Sequence, residues 1–286
     1  MRAAIAGGRV TTAYPARPEA APPALRGAPT VDPAACDCSA ACVEACPSGA
    51  ITLTTDGERG RTWQLDLARC VFCAECVAAC PNGALAMSGE YELATRSRAD
   101  LLTTVHHGRA PAVAATTGVQ RVAASDTSNT PAALGDRLSA RIRRLLRRSL
   151  HIRHLDAGSD NGTDWELNAL LNPVYDVQRL GIDVVASPRH ADLLFVTGPV
   201  TRNLEMALRR TYEAMPAPGI VVAAGAEACG GGVWQGSYAH AGGVDRVLPV
   251  EVYIPGDPPR PQAIIYGLLL ALDRVEQRRH GVELSR

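Results

Sequence analysis

The clearest hydrophobic pattern lies in the C-terminal half of the chain. Three short apolar runs rich in β-branched residues, GIDVVAS, ADLLFVTG and GIVVAAG, fall between positions 181 and 225. Each is near-continuous rather than alternating, as in a strand buried on both faces. Between the second and third, NLEMALRRTYEAM repeats its apolar residues at helical spacing. Strands that alternate with helices predict an α/β fold with a parallel sheet covered on both faces. Turn residues follow at Gly198-Pro199, Gly225 and Pro255-Gly256. In such sheets, sites gather at the carboxyl ends of the strands. Upstream, LGDRLSARIRRLLRRSLHIRHLDAG puts Leu134, Leu138, Ile142, Leu145 and Leu146 on one helical face. Arginines 137, 141, 143, 144, 147 and 148 crowd the remainder. This segment reads either as a surface helix packed on its own domain or as a basic amphipathic helix on a membrane surface or in a partner's groove.

The pattern divides the chain at several places. Residues 1–30 read as a disordered Ala/Pro leader without the apolar core of a secretory signal. Residues 31–92 form a cysteine-rich domain, 93–136 a flexible linker, 137–275 the sheet domain and 276–286 a tail. A length of 286 residues suits two domains. The net charge is zero, so no global field favours nucleic acid, and no nucleic-acid partner is expected. Every basic residue is arginine, which excludes a Walker A loop or a Schiff-base lysine. No G-x-G-x-x-G occurs either, so no nucleotide cofactor is expected. The longest apolar run, 263–272, is too short to span a bilayer, so the chain is expected to be soluble or peripheral on a membrane.

Cysteine changes the picture most. Eight of the nine lie between Cys36 and Cys80. CVFCAECVAACP sets Cys70, Cys73, Cys76 and Cys80 at C-x2-C-x2-C-x3-C-P spacing. A short loop of this kind wraps three thiolates around one [4Fe–4S] cluster and sends the fourth to a second cluster. A zinc site is the plain alternative, but it usually shows two C-x2-C pairs and no C-P. The first cluster is therefore assigned to Cys70, Cys73, Cys76 and Cys46. The earlier half, CDCSAACVEACPSGAI, is irregular. Counting back from Cys46, its ligand positions are Cys42, residue 39 and Cys36, and residue 39 is Ser39. Cys38 can swing in as a displaced ligand, Ser39 can ligate through oxygen, or one iron can be missing. Cys38 is preferred because thiolate is the softer ligand. The second cluster is thus assigned to Cys36, Cys38, Cys42 and Cys80. ACPSGAI and ACPNGAL repeat each other, and DPAAC and DLARC precede the two halves. The pseudo-repeat resembles the two-cluster bacterial ferredoxin fold, an α+β domain. His106 and His107 fall in the linker and read as solvated, with nothing nearby to complete a site.

The stretches SLHIRHLDAG, ASPRHADLLFVTGPVTRNLEMALRRTYEAMPAP and PVEVYIPGDPPRPQAI resemble the small subunit of membrane-bound group 4 [NiFe] hydrogenases, formate hydrogenlyase type included. That family is homologous to the 20 kDa subunit of respiratory complex I. The resemblance implies a flavodoxin-like parallel-sheet domain docked on a large subunit and membrane-arm subunits. It also implies a place on the cytoplasmic face of the membrane, and a surface that in complex I lines the quinone pocket. The family holds one [4Fe–4S] cluster on four cysteines. At the matching positions this chain has Asp160 and Thr163 in DAGSDNGTDWE, Glu227 in GAEACGGG and Asp257 in PGDPP. This site is expected to be empty. Its acids would keep the negative charge of the lost cluster and pair with arginines, some from the large subunit. A hard-metal site for Mg²⁺ or Mn²⁺ is the rival reading. Cys229 reads as a buried, unreactive thiol. Glu166 matches a family acid, and Arg189 and His190 match a family interface segment.

No nucleophile or acid–base pair suggests an independent catalytic site. The expected role is an iron–sulfur electron-transfer subunit of a hydrogenase-like or complex I-like membrane oxidoreductase. The alternative is a structural or regulatory docking subunit with no relay through the C-terminal domain.

Overall fold

The computed structural model describes residues 10–17, 19–55, 60–107 and 149–279, with side chains of the last helix given to residue 272. The basic segment 134–148 and most of the expected linker lie outside the described residues.

The cysteine-rich domain is built from two similar halves. Strand β1 (Pro29–Val31), helix α1 (Ala41–Glu44) and strand β2 (Ile51–Thr55) come from the first half. Strand β3 (Arg61–Asp66), helix α2 (Glu75–Ala79) and strand β4 (Leu85–Met87) come from the second. β1 pairs antiparallel with β4, and β2 with β3. A further strand, β5 (Leu102–His107), pairs antiparallel with β3 and extends this sheet to three strands in the order β2-β3-β5. β5 falls inside the segment expected to be a flexible tether. Its Thr- and Val-rich sequence supplies β propensity, and Val105 lies opposite Trp63 with both buried.

The leader also departs from expectation. From residue 10 it is laid against the C-terminal domain. Thr12 N–H donates to Val174 O at 2.7 Å, and Arg179 donates to the carbonyls of Thr12 and Tyr14 at 2.6 and 2.8 Å. Tyr14 is buried, and its hydroxyl donates to Glu92 at 2.8 Å. One buried aromatic with a satisfied hydroxyl is enough to anchor a Pro-rich segment that has no regular structure of its own.

The C-terminal domain holds β6 (Leu150–Asp156), α3 (Gly162–Ala169), β7 (Ile182–Val184), β8 (Leu193–Thr197), α4 (Arg202–Glu213), β9 (Ile220–Ala224), α5 (Ala226–Gly230), β10 (Val252–Ile254) and α6 (Pro261–Arg279). All five strands are parallel, in the order β10-β9-β8-β6-β7. The expected flavodoxin-like parallel sheet is present. β8 and β9 are buried at every position, which is why their sequences run apolar without alternation. Leu193, Phe195, Val222 and Ile254 face a core with Leu167 of α3 and Ile264 and Leu268 of α6. Leu194, Val196, Val221 and Tyr253 face a second core with Leu208 of α4 and Cys229 of α5. That second core continues without a break into Leu65, Leu67 and Phe72 of the cysteine-rich domain. The small domain therefore covers part of one face of the large sheet. Thr95 and Tyr253 exchange backbone hydrogen bonds of 2.9 Å across the junction, and within the small domain Arg98 pairs with Asp66 at 2.5 Å. No helix among the described residues is long and apolar enough to cross a membrane.

Candidate metal centres

Cys46, Cys70, Cys73 and Cys76 line one cavity, walled by Ile51, Leu65 and Phe72. The loop between β3 and α2 delivers three of these thiols, and the turn after α1 delivers Cys46. The Ala50 N–H donates to Cys46 Sγ at 3.2 Å, and the Phe72 N–H donates to Cys70 Sγ at 3.4 Å. Burial, opposed by the Phe72 N–H, pushes the Cys70 thiol up to about 12. Burial and the neighbouring Cys73 and Cys46 push Cys76 up to about 11. Clustered thiols in an apolar pocket stay protonated on their own. A cationic iron core is the kind of group that turns them into thiolates, with amide N–H groups aimed at the sulfurs to stabilise the resulting anions. The residues fit a cluster.

Cys36, Cys38, Ser39, Cys42 and Cys80 line a second cavity against Leu53 and Trp63. The two halves share a backbone, position for position. Cys36, Cys42 and Cys46 stand where Cys70, Cys76 and Cys80 stand in the other half. Ala40 and Ala74 precede the two helices with φ of 67° and 68°. Cys38 and Phe72 have φ of 56° and 53°. Cys38 therefore holds the place of Phe72, and Ser39 holds the place of Cys73. The irregular half has the same loop with a hydroxyl where the other half has a thiol. The Cys38 thiol lies beside Cys36, and burial followed by that neighbour raises its pKa. Its carbonyl accepts from Arg61 at 2.8 Å, which ties the loop to β3.

Of the two histidines expected to be solvated, His106 is exposed, whereas His107 lies beside the irregular half's cysteines. His106 Nδ1 meets the Thr62 hydroxyl at 3.0 Å on one side of β5. His107 points to the other side. Its ring nitrogen and the Cys36 and Cys38 sulfurs all lie within 4.8 Å of one another, the one such group of three among the described residues. No sequence pattern hints at this proximity, because it depends on β5 joining the sheet.

The four family positions meet at the carboxyl ends of β6, β9 and β10. Asp160 N–H donates to the Glu227 carboxylate at 3.2 Å, and Gly162 N–H donates to Asp160 Oδ1 at 2.8 Å. A Cβ on Gly225 would stand 2.6 Å from the Thr163 hydroxyl, so Thr163 is pressed against the end of β9. The Trp234 indole donates to Glu227 at 2.9 Å. Burial and then Asp160 raise the pKa of Glu227 against those hydrogen bonds. Desolvation in the turn, followed by the like charges of Asp160 and Glu227, pushes Asp257 up to about 7 even though the residue reaches the surface. Among the described residues no arginine pairs with any of the three acids, and their oxygens do not form a close metal-binding group.

Beneath this site lies Asp164, a buried acid that no sequence motif marks. It accepts from Ser159 Oγ, from Thr197 Oγ1 at 2.9 Å and from His154 Nε2 at 2.7 Å. Burial works against it, yet these hydrogen bonds, His154 first, hold its carboxyl down at about 2. The network ties the loop after β6 to β8 and fixes the backbone that presents Asp160 and Thr163. Cys229 is fully buried, its thiol pushed up to about 12 by burial, and donates to Ala223 O at 3.4 Å, as expected of an unreactive cysteine. Glu166 is half-buried with its pKa raised by burial. Arg189 and His190 lie at the amino-terminal end of β8, away from the acids.

Comparison with known proteins finds a separate family match in each part of the chain. Residues 161–271 match the NADH ubiquinone oxidoreductase 20 Kd subunit family, and residues 35–84 match the 4Fe-4S dicluster domain. The chain is 45% identical over 148 residues to the probable membrane-bound hydrogenase subunit mbhJ of Pyrococcus furiosus, covering 51% of this chain and 89% of that protein. It is 41% identical over 144 residues to formate hydrogenlyase subunit 7 of Escherichia coli, covering 50% of this chain and 56% of that protein. It is 47% identical over 107 residues to an NADH-quinone oxidoreductase subunit of Citrifermentans bemidjiense, covering 37% of this chain and 62% of that protein.

Proposed function

The chain belongs to the NADH ubiquinone oxidoreductase 20 Kd subunit family, and on that premise we propose that it is the iron–sulfur subunit of a hydrogenase-like or complex I-like membrane assembly in which the ferredoxin domain, not the family's own site, holds the clusters. Clusters bound there would supply one-electron storage and transfer. Cys46, Cys70, Cys73 and Cys76 would hold one. Cys36, Cys42 and Cys80 would hold most of a second.

The observation that carries this reading is the contrast between the two kinds of site. One domain gathers thiols around apolar cavities. The other brings Asp160, Thr163, Glu227 and Asp257 together where thiols would be needed, and hard oxygen ligands are poor matches for an iron–sulfur core. The acids would be neutralised by cationic groups of a large subunit. Trp165 in α3 is 73% exposed, and Trp234 is 53% exposed while bonding Glu227. An acidic site without a cationic partner among the described residues, bordered by the exposed Trp234 and with Trp165 exposed on the same short helix as Thr163, suits a docking face for that subunit, with membrane-arm subunits beyond it and the assembly on the cytoplasmic face. A quinone at the subunit interface belongs to the same proposal.

The test is iron and acid-labile sulfide per full-length chain after anaerobic reconstitution, with EPR of the reduced protein. About eight irons are expected, from two four-iron clusters. About twelve would place a cluster on the acidic site and sink the proposal.

A further inference from the structure

The irregular half keeps the ferredoxin loop but has Ser39 where its twin has Cys73, so one coordination place lacks a thiol. Cys38 is the neighbour in sequence, yet its backbone stands in the place of Phe72, which is not a ligand position in the twin half. β5 offers another candidate. In the sheet, Leu53 pairs with Trp63, Trp63 with Val105, and Arg61 with His107. Directly paired residues share a face of a sheet. Leu53 and Trp63 line the irregular cavity, so Arg61 and His107 stand on the face turned towards it. Arg61 does reach the loop, through the Cys38 carbonyl. His107 Nε2 is buried and has no hydrogen-bond partner. A buried ring nitrogen without a partner is costly, and such an atom in a native fold calls for an explanation. A ring nitrogen of His107 also lies within 4.8 Å of both the Cys36 and Cys38 sulfurs. Iron readily accepts imidazole nitrogen beside thiolate.

We propose that His107 is an iron ligand of the irregular centre, its ring nitrogen filling the coordination place that Ser39 leaves without a thiol. The inference rests on the reading of that half as an iron–sulfur site. Exchanging a thiolate for a neutral imidazole removes one negative charge from the centre, which raises its reduction potential. The irregular centre would then be the more readily reduced of the two, and the pseudo-repeat would have yielded two centres of different potential from one loop design.

The test uses the full chain, reconstituted anaerobically, with histidine labelled with ¹⁵N. Pulsed EPR of the reduced protein should show a strongly coupled nitrogen whose isotope signature changes with the label. His107→Ala should abolish that coupling and convert the irregular centre to a three-iron form with its own EPR signal. His107→Cys should keep the full iron content, lose the nitrogen coupling and lower the potential of that centre. Cys38→Ser should leave iron content and coupling intact. Eight irons with no nitrogen coupling and an unchanged His107→Ala spectrum would overturn the ligand assignment while leaving the two-cluster reading intact. Loss of the centre in Cys38→Ser but not in His107→Ala would do the same, in favour of the thiol. About four irons in the unsubstituted chain would remove the irregular centre, and with it this inference.

Discussion

A single carboxyl dominates the electrostatics of the acidic site in the free chain. Asp257 faces Asp160 and Glu227, and Glu227 also feels Asp156. The folded chain holds the Asp257 proton up to about pH 7, whereas the unfolded chain gives it up near the ordinary value of 3.8. The folded state therefore binds more protons between those limits, so the free chain should lose stability as pH rises through that window. Asp257→Asn should flatten this loss and make the free chain more stable than the parent at pH 8. Thermal unfolding of both chains from pH 5 to pH 8 checks it, and parallel curves would show that Asp257 is already screened by water. These residues are legible in the sequence because the flanking motif letters survive around them: DAGS before Asp160, PG before Asp257. Asp164 is not, since a lone acid in a helix gives no sign of its partners. Only the fold shows that Thr197 on β8 and His154 on β6 converge on it.

At the scale of elements, the loop between β6 and α3 depends on that buried acid. Three donors hold Asp164 ionised, and Asn161, at φ 70°, turns the chain into α3 directly before it. Asp164→Asn keeps the shape but removes the charge, and it can no longer accept equally from all three. Hydrogen bonds to a charged group contribute about 1.5–3 kcal/mol each, so a loss on the order of 2 kcal/mol is expected in urea unfolding at pH 7. The sign with pH is opposite to that of Asp257. The folded carboxyl titrates near 2, below its ordinary 3.8, so its contribution is complete above that value and drains away as pH falls between the two. The gap between parent and variant should therefore narrow at pH 3, and a constant gap would mean the carboxyl's charge is not what the loop needs. Elements are unevenly legible in the residues. β7, β8, β9 and α4 stand out because full burial or a clean helical period writes itself into the sequence. β6, which lies between β7 and β8 in the sheet, merges along the chain with the arginine-rich segment before it. Its His151, Arg153 and His154 break the apolar run, because the strand meets the site and the solvent along one side. β5 escapes for a different reason: its pairing with β3 is a contact across the domain, invisible to any local window.

For the whole molecule, the decisive feature is that the ferredoxin domain is seated on the sheet rather than hung from a tether. Ala68 lies two positions before Cys70, and Gly230 lies three positions after Glu227. A Cβ on Gly230 would stand 2.7 Å from the Ala68 carbonyl oxygen and 2.8 Å from Arg69 Cγ. The regular centre's loop and the helix carrying the acidic site are thus in backbone contact, and one shared core runs beneath them. This contact gives the proposed subunit a direct way to present its regular centre beside the face that docks a partner. It also makes a prediction with little room for adjustment, since the clash is with backbone. Gly230→Val should push the small domain off the sheet, break the shared core and weaken the Thr95–Tyr253 backbone pair. Calorimetry of the reconstituted chain should then show two unfolding transitions where the parent shows one. Iron content should hold, because no ligand is touched. A single transition at the parent's temperature would mean that the two domains meet too loosely for the seat to matter, and the direct presentation of the regular centre to the docking face would fail with it.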